Sequence, residues 1–306
     1  MISENIEIKT PFLSDKEVRL FVKREDLLHP VISGNKYRKL KYNLEKAAQQ
    51  NKEYLVTFGG AYSNHILATA CAGKAYGFKT VGVIRGEELG HDIEKTLQQN
   101  PTLKKADQFG MEFLFVSRAD YQQKNHPTFV SSLSKKYENS YVLPEGGTNP
   151  LAIKGCEEIL SEKDKAFTHV CCAMGTGGTV TGIINSSVLT QNILIFPSLK
   201  GNWMAEEIKQ LKPNKQNWEV VSGYHCGGYG KVSEELITFI NAFKSHHNIL
   251  LDPIYTGKMM FGLYDLIKRN HFKKGSTVLA IHTGGIQGIE GMNRRLKQKN
   301  KTMIHE

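Results

Sequence analysis

Short apolar runs alternate with helical patterns along nearly the whole chain, and this rhythm restricts the fold more than any other feature. Strand candidates are "EYLVTF" (53–58), "TVGVI" (80–84), "EFLFVS" (112–117), "HVCCAM" (169–174), "NILIF" (192–196), "WEVVSG" (218–223) and "TVLAIHT" (277–283). Between them lie amphipathic segments such as "HILATACAGKAY", "NPLAIKGCEEIL", "MAEEIKQL" and "VSEELITFINAFK". Near-continuous apolar strands bounded by glycine and followed by helices predict an α/β fold with open, mainly parallel sheets. A length of 306 residues suits about two domains. No repeat of fixed period and no low-complexity linker interrupts the pattern, and composition alone places no domain boundary. The polar, lysine-rich segment 118–140 is expected to cover an outer surface.

Charge and cysteine usage narrow the partners. The formal charge is +10, but Lys and Arg are scattered and mostly alternate with Glu, Asp or Gln. The one dense run, "NRRLKQKNK", reads as a solvated helix end. No zinc spacing or aromatic-interleaved basic motif accompanies it, which argues against nucleic acid and favours small anionic ligands. No apolar stretch reaches membrane-spanning length, and the N-terminus has no signal-peptide pattern. Five cysteines without a C-x-x-C pair fit the reduced cytoplasm, the expected location.

Open α/β sheets bind ligands beyond the carboxyl ends of their strands, so the turns that enter helices matter most. In "SGNKYRKLKYNLEKAA" (33–48), Ser33 and Gly34 give a turn, Asn35 is the expected N-cap and Lys36 falls in the first helical turn. That end of a helix disfavours a cation, and Arg38 and Lys39 are near, which pushes the Lys36 amine towards its neutral, nucleophilic form. Taken alone, such a lysine is more often an ordinary solvated residue. "GGAYSNH" (59–65) follows the first strand candidate; helix capping by Ser63 or Asn64 explains part of it, but four successive polar side chains, Tyr62 to His65, exceed what a cap needs.

The loop "GTGGT" comprises Gly175, Thr176, Gly177, Gly178 and Thr179, and its backbone N–H groups suit an anion nest at a helix start. A dinucleotide fingerprint fails because position 180 is valine and no ribose-binding acid follows the next strand. A P-loop lysine is also absent. A compact monophosphate remains, held by N–H groups and the Thr176 and Thr179 hydroxyls, with a merely structural glycine turn as the bland reading. "LLDPIYTGK" (250–258) delivers Tyr255 and Thr256 to a helix start, and "IHTGGIQG" (281–288) ends a strand at Thr283. Each of these last two alone is more readily structural. Together the four turns and Lys36 supply an amine, a phosphate cradle, an aromatic platform and neutral hydroxyls, the set that pyridoxal 5'-phosphate requires.

The motifs "VKRED…GNKYRKL", "GGAYSNH", "GTGGT", "LDPIYTGK" and "HTGG", in this order, resemble the 1-aminocyclopropane-1-carboxylate deaminase/D-cysteine desulfhydrase family, pyridoxal-phosphate enzymes of the tryptophan-synthase-β-like fold (fold type II). The resemblance runs from about Lys23 to Gly285. It implies that Lys36 forms the covalent link to the cofactor aldehyde, that Asn64 bonds the ring hydroxyl, and that Ser63 and His65 face the substrate carboxylate. It further implies that residues 175–179 bind the phosphate, that Tyr255 lies against the cofactor ring, and that Thr283 approaches the pyridine nitrogen. By analogy a small domain, residues 40–142, is inserted into a large one made of 1–39 and 143–306, and the protein is a homodimer.

Ring-opening members resemble one another in having Glu after the tyrosine and Leu in place of the "HTGG" threonine; here those positions are Thr256 and Thr283, as in the desulfhydrase branch. Thr256 is therefore counted among the substrate-side residues. The expected reaction is α,β-elimination on a small amino acid, D-cysteine giving pyruvate, sulfide and ammonia. Lys36 moves the Cα proton, and Ser63 or Tyr255 assists. One departure is Tyr62, where the family usually has Gln; the larger phenol narrows the expected pocket against D-cysteine, and another β-substituted amino acid, such as D-serine or β-chloro-D-alanine, fits the same chemistry. The alternatives are deamination of the cyclopropane amino acid to 2-oxobutyrate and a catalytically idle cofactor-binding protein.

Overall fold

Ten strands, arranged in two sheets, occur among the residues described by the computed structural model, 2–306. They are β1 (Asn5–Ile8), β2 (Arg19–Lys23), β3 (Tyr54–Gly60), β4 (Lys79–Arg85), β5 (Met111–Val116), β6 (Ser140–Leu143), β7 (His169–Met174), β8 (Asn192–Pro197), β9 (Trp218–Val220) and β10 (Thr277–Ile281). The chain divides into two compact units, Met1–Asn35 with Cys156–Glu306, and Lys36–Gly155.

The larger unit carries a six-stranded sheet in the order β1-β2-β10-β7-β8-β9. All pairings are parallel except β1 with β2. Alternation along the strands gives each face its own core. Leu20, Val22, Cys171, Leu194, Phe196, Val278 and Ala280 pack with Leu236 and Ile240 of helix Glu234–His247 and with Met259 and Leu263 of helix Thr256–Lys268. On the opposite face Val170, Cys172, Ile193, Ile195, Leu279 and Ile281 meet Val180, Ile183 and Ile184 of helix Gly178–Ser186. Helices on both faces explain why β7, β8 and β10 read as unbroken apolar runs.

The smaller unit holds the parallel sheet β5-β4-β3-β6. Val56, Phe58, Val81 and Val83 pack on Tyr121, Leu133 and Tyr137, the last three from the lysine-rich stretch after β5. That stretch does cover a sheet face, through helices Arg118–Gln122 and Pro127–Lys136. Helix Asn64–Tyr76 lies against β3 and β4.

One local expectation is corrected. Helix Asn35–Gln49 already includes Asn35, so Asn35 is not the N-cap. Its amide Nδ2 instead donates to the Thr179 hydroxyl at 2.8 Å. The side chain therefore serves as a donor to a distant residue and turns away from the helix end it was expected to cap.

Candidate active site

In the larger unit the loop after β7 turns at Gly177, where φ is +81°, and enters helix Gly178–Ser186. The first N–H groups of a helix have no partner within it, and they carry partial positive charge. Gly175 is fixed by what lies beside it: a Cβ there would stand 3.1 Å from the Tyr255 ring. The Tyr255 ring therefore lies directly on the glycine loop, and the Tyr229 ring meets Tyr255 edge-on with centroids 6.2 Å apart.

Tyr255 and Thr256 owe their position to Asp252, a fully buried residue that sequence reasoning did not single out. Its Oδ1 accepts the N–H groups of Ile254 at 2.9 Å and Tyr255 at 2.8 Å, while Oδ2 accepts that of Thr256 at 2.8 Å. An Asp-Pro dipeptide just ahead of a helical pattern was the available signal. The Thr256 hydroxyl lies 3.5 Å from the Thr283 hydroxyl, and both residues are buried.

Thr283 is held in turn by its neighbours. His282 Nε2 donates to Leu250 O at 2.7 Å, its Nδ1 accepts Gly284 N–H at 3.2 Å, and Ser33 Oγ accepts Gly285 N–H at 3.2 Å. Asn35 N–H donates to Thr283 O at 3.3 Å, and its side chain reaches Thr179. The larger unit thus brings Thr179, Thr256 and Thr283 together with Gly175 and Tyr255. Lys36 is the next residue of the chain after Asn35.

In the smaller unit Ser63 is the N-cap of helix Asn64–Tyr76, its Oγ accepting His65 N–H at 3.2 Å. Tyr62 is 45% exposed. The His65 side chain is only 1% exposed and turned inward. The Thr57 hydroxyl donates to Leu143 O at 3.2 Å and so accepts from His65 Nε2 at 2.8 Å. Among the described residues His65 Nδ1 has no hydrogen-bond partner, and a Cβ on Gly147 would stand 2.8 Å from the ring. Burial first, and then the charges of Lys36 and Lys39, push the His65 pKa well below its ordinary value. Lys39, also buried, donates to Gly146 O at 3.0 Å and Thr148 Oγ1 at 2.9 Å, which fixes the loop beside His65. Thr57 and Lys39 were not among the residues expected from sequence; apolar neighbours hid the first and a basic cluster the second.

Residues 5–284 match the family described as pyridoxal-phosphate dependent enzyme. The chain belongs to this family. A Thermotoga maritima relative, named provisionally as 1-aminocyclopropane-1-carboxylate deaminase, is 34% identical over 90% of this chain and 92% of its own. An Arabidopsis thaliana relative is named a bifunctional D-cysteine desulfhydrase/1-aminocyclopropane-1-carboxylate deaminase and is 28% identical over 88% of this chain and 73% of its own. A solved structure described as an ACC deaminase homologue superimposes with a TM-score of 0.80 at 28% identity, covering 97% of this chain and 94% of that one. This pyridoxal-phosphate-dependent enzyme therefore falls within the deaminase/desulfhydrase group, as the motifs implied.

The residues present fit the cofactor. The loop offers backbone N–H groups at a helix start, and Gly175 admits the Tyr255 ring, 3.1 Å from where a Cβ would stand. Hydroxyl groups at Thr256 and Thr283 are neutral hydrogen-bonding partners suited to an uncharged ring nitrogen.

Proposed function

We propose that this enzyme catalyses α,β-elimination on a small β-substituted amino acid, D-cysteine giving pyruvate, sulfide and ammonia. The observation that carries the reading is the buried Thr256–Thr283 hydroxyl pair, 3.5 Å apart. The nearby Asp252 carboxylate is already engaged by three backbone N–H groups, so it is not offered to a ring nitrogen. When bound, pyridoxal phosphate supplies an electron sink for the substrate Cα. A neutral partner at its nitrogen makes that sink shallow, sufficient for expelling a β-thiolate and poorly suited to opening a strained carbon ring.

In this reading Lys36 Nζ holds the cofactor aldehyde and moves the proton at the substrate Cα. N–H groups of residues 175–179, with the Thr176 and Thr179 hydroxyls, take the phosphate. Tyr255 would lie against the ring, Thr283 would partner its nitrogen and Asn64 its hydroxyl. Ser63 and Asn64 orient the substrate carboxylate, while His65, its ring committed to Thr57, keeps their turn in place. Thr256 borders the substrate, and Ser63 or Tyr255 assists proton transfer.

A second reading, deamination of 1-aminocyclopropane-1-carboxylate, is favoured by the name of the Thermotoga relative, while that of the Arabidopsis relative carries both activities. Product analysis separates the two. D-Cysteine should yield sulfide and pyruvate in equal amounts; release of 2-oxobutyrate from the cyclopropane amino acid, without sulfide from D-cysteine, overturns the elimination. A yellow protein that releases none of these products from a panel of D- and L-amino acids would indicate cofactor binding without turnover.

A further inference from the structure

Lys258 stands in the first turn of helix Thr256–Lys268, three residues after Tyr255, and is 1% exposed. Burying an ammonium group costs several kcal/mol, roughly, unless it is compensated. Its Nζ donates to Gly228 O at 2.9 Å. Burial pushes its pKa down, while the neighbouring Cys226 and Asp252 act in the opposite sense.

The loop it reaches is difficult to order. Gly223, Cys226, Gly227, Gly228 and Gly230 all have positive φ, at +101°, +51°, +88°, +117° and +67°. Such glycine-rich backbone loses much entropy when fixed. Within the loop, Gly227 N–H donates to His225 Nδ1 and Gly228 N–H to His225 O. Gly228 O also accepts Lys231 N–H at 3.2 Å. The residue between these anchors is Tyr229, 51% exposed, whose ring stands edge-on to Tyr255. Helix start, tether, loop and ring pair thus form one closed circuit.

We infer that Lys258 is a positioning residue: its bond to Gly228 O fixes the 223–230 loop so that Tyr229 is held against Tyr255, and thereby sets how well substrate is bound. The inference rests on Tyr255 lining the reaction site. A methionine would fill the same volume without the cost of burying charge, so the donor rather than the stem accounts for a lysine here.

Hydrogen exchange on the cofactor-loaded protein tests the tether, and steady-state kinetics tests its consequence. Lys258→Met should speed amide exchange of residues 226–231 by about tenfold or more. It should also raise KM by about 5–20-fold while kcat and the visible cofactor absorbance change little. Lys258→Gln, whose amide donor sits one bond nearer the backbone, should recover part of both effects. Unchanged exchange in the Met variant overturns the tether. Tyr229→Ala, a change at an exposed residue, keeps the inference testable if the Lys258 variants do not fold. It should raise KM by a similar factor, and an unaltered KM would overturn the positioning role. Failure of the elimination reaction appears separately, as absent turnover in the unaltered protein, and leaves the exchange experiment readable.

Discussion

A methyl group at position 34 has nowhere to go. Gly34 has φ of +58°, and a Cβ there would overlap the carbonyl group of Thr283. Gly34→Ala should therefore cost about 1–3 kcal/mol from backbone strain alone. It should also displace Asn35 from Thr179 and Thr283, so weaker cofactor retention should accompany a lower urea midpoint. The adjacent Lys36 tests a different property: Lys36→Ala should fold normally yet lack the visible absorbance of the bound cofactor and lose turnover. An alanine variant with full absorbance would move the anchoring amine elsewhere. His65 gives a pH signature. Its folded-state pKa lies well below the ordinary 6.5, chiefly because it is buried. Stability from keeping it neutral is complete above pH 6.5 or so and is lost as pH falls towards the folded-state value. Melting temperature should hence fall with acidity below that point, and more steeply in the parent protein than in His65→Gln.

At the scale of elements, the turn before helix Thr256–Lys268 depends on one carboxylate. Asp252→Ala removes the acceptor for three N–H groups and should cost about 1–3 kcal/mol, seen as a lower denaturation midpoint and a raised KM. The sequence pattern displayed β3, β4, β7, β8 and β10, because strands buried on both faces announce themselves as apolar runs, and the half-buried β5 and β9 through their aromatic and β-branched residues. It did not display β1, β2 or β6. β1 is short and alternates Asn, Ile, Glu and Ile, and β2 ends in Lys23, a charge that argues against a core strand until Asp164 is known to face it. β6 is four residues within a polar surround. The candidate site was legible wherever glycine or a hydroxyl follows a strand, as in "GTGGT" and "HTGG", two turns that Asn35 links through Thr179 and Thr283. It was not legible where a side chain acts through tertiary contact. Ser63 capping its helix follows from local preference, but the inward turn of His65 depends on Thr57 and Gly147, which periodicity does not place.

The molecule as a whole is held by a few buried charges as well as its cores. Lys23 Nζ bonds Asp164 at 2.8 Å, with both side chains shielded from solvent. Burial raises the Asp164 pKa, but the bonds from Lys23, Asn5 and Ser161 N–H outweigh it and leave the net shift downward. Lys23→Met strands that carboxylate and should cost about 3–5 kcal/mol in unfolding free energy. Adding Asp164→Asn to the same chain, which removes the stranded charge and keeps a side-chain oxygen as acceptor, should restore part of the loss.

Parallel pairing of β10 with β2 joins the two ends of the polypeptide in one sheet. During translation β2 leaves the ribosome well before its parallel neighbour, which follows only after the whole of Lys36–Gly155 and β7 to β9. Lys36–Gly155 is contiguous and has all its strand partners in hand long before then. Nascent chains arrested short of residue 277 should therefore protect the smaller unit from protease while capturing no vitamin, so that acquisition of the prosthetic group waits for β10.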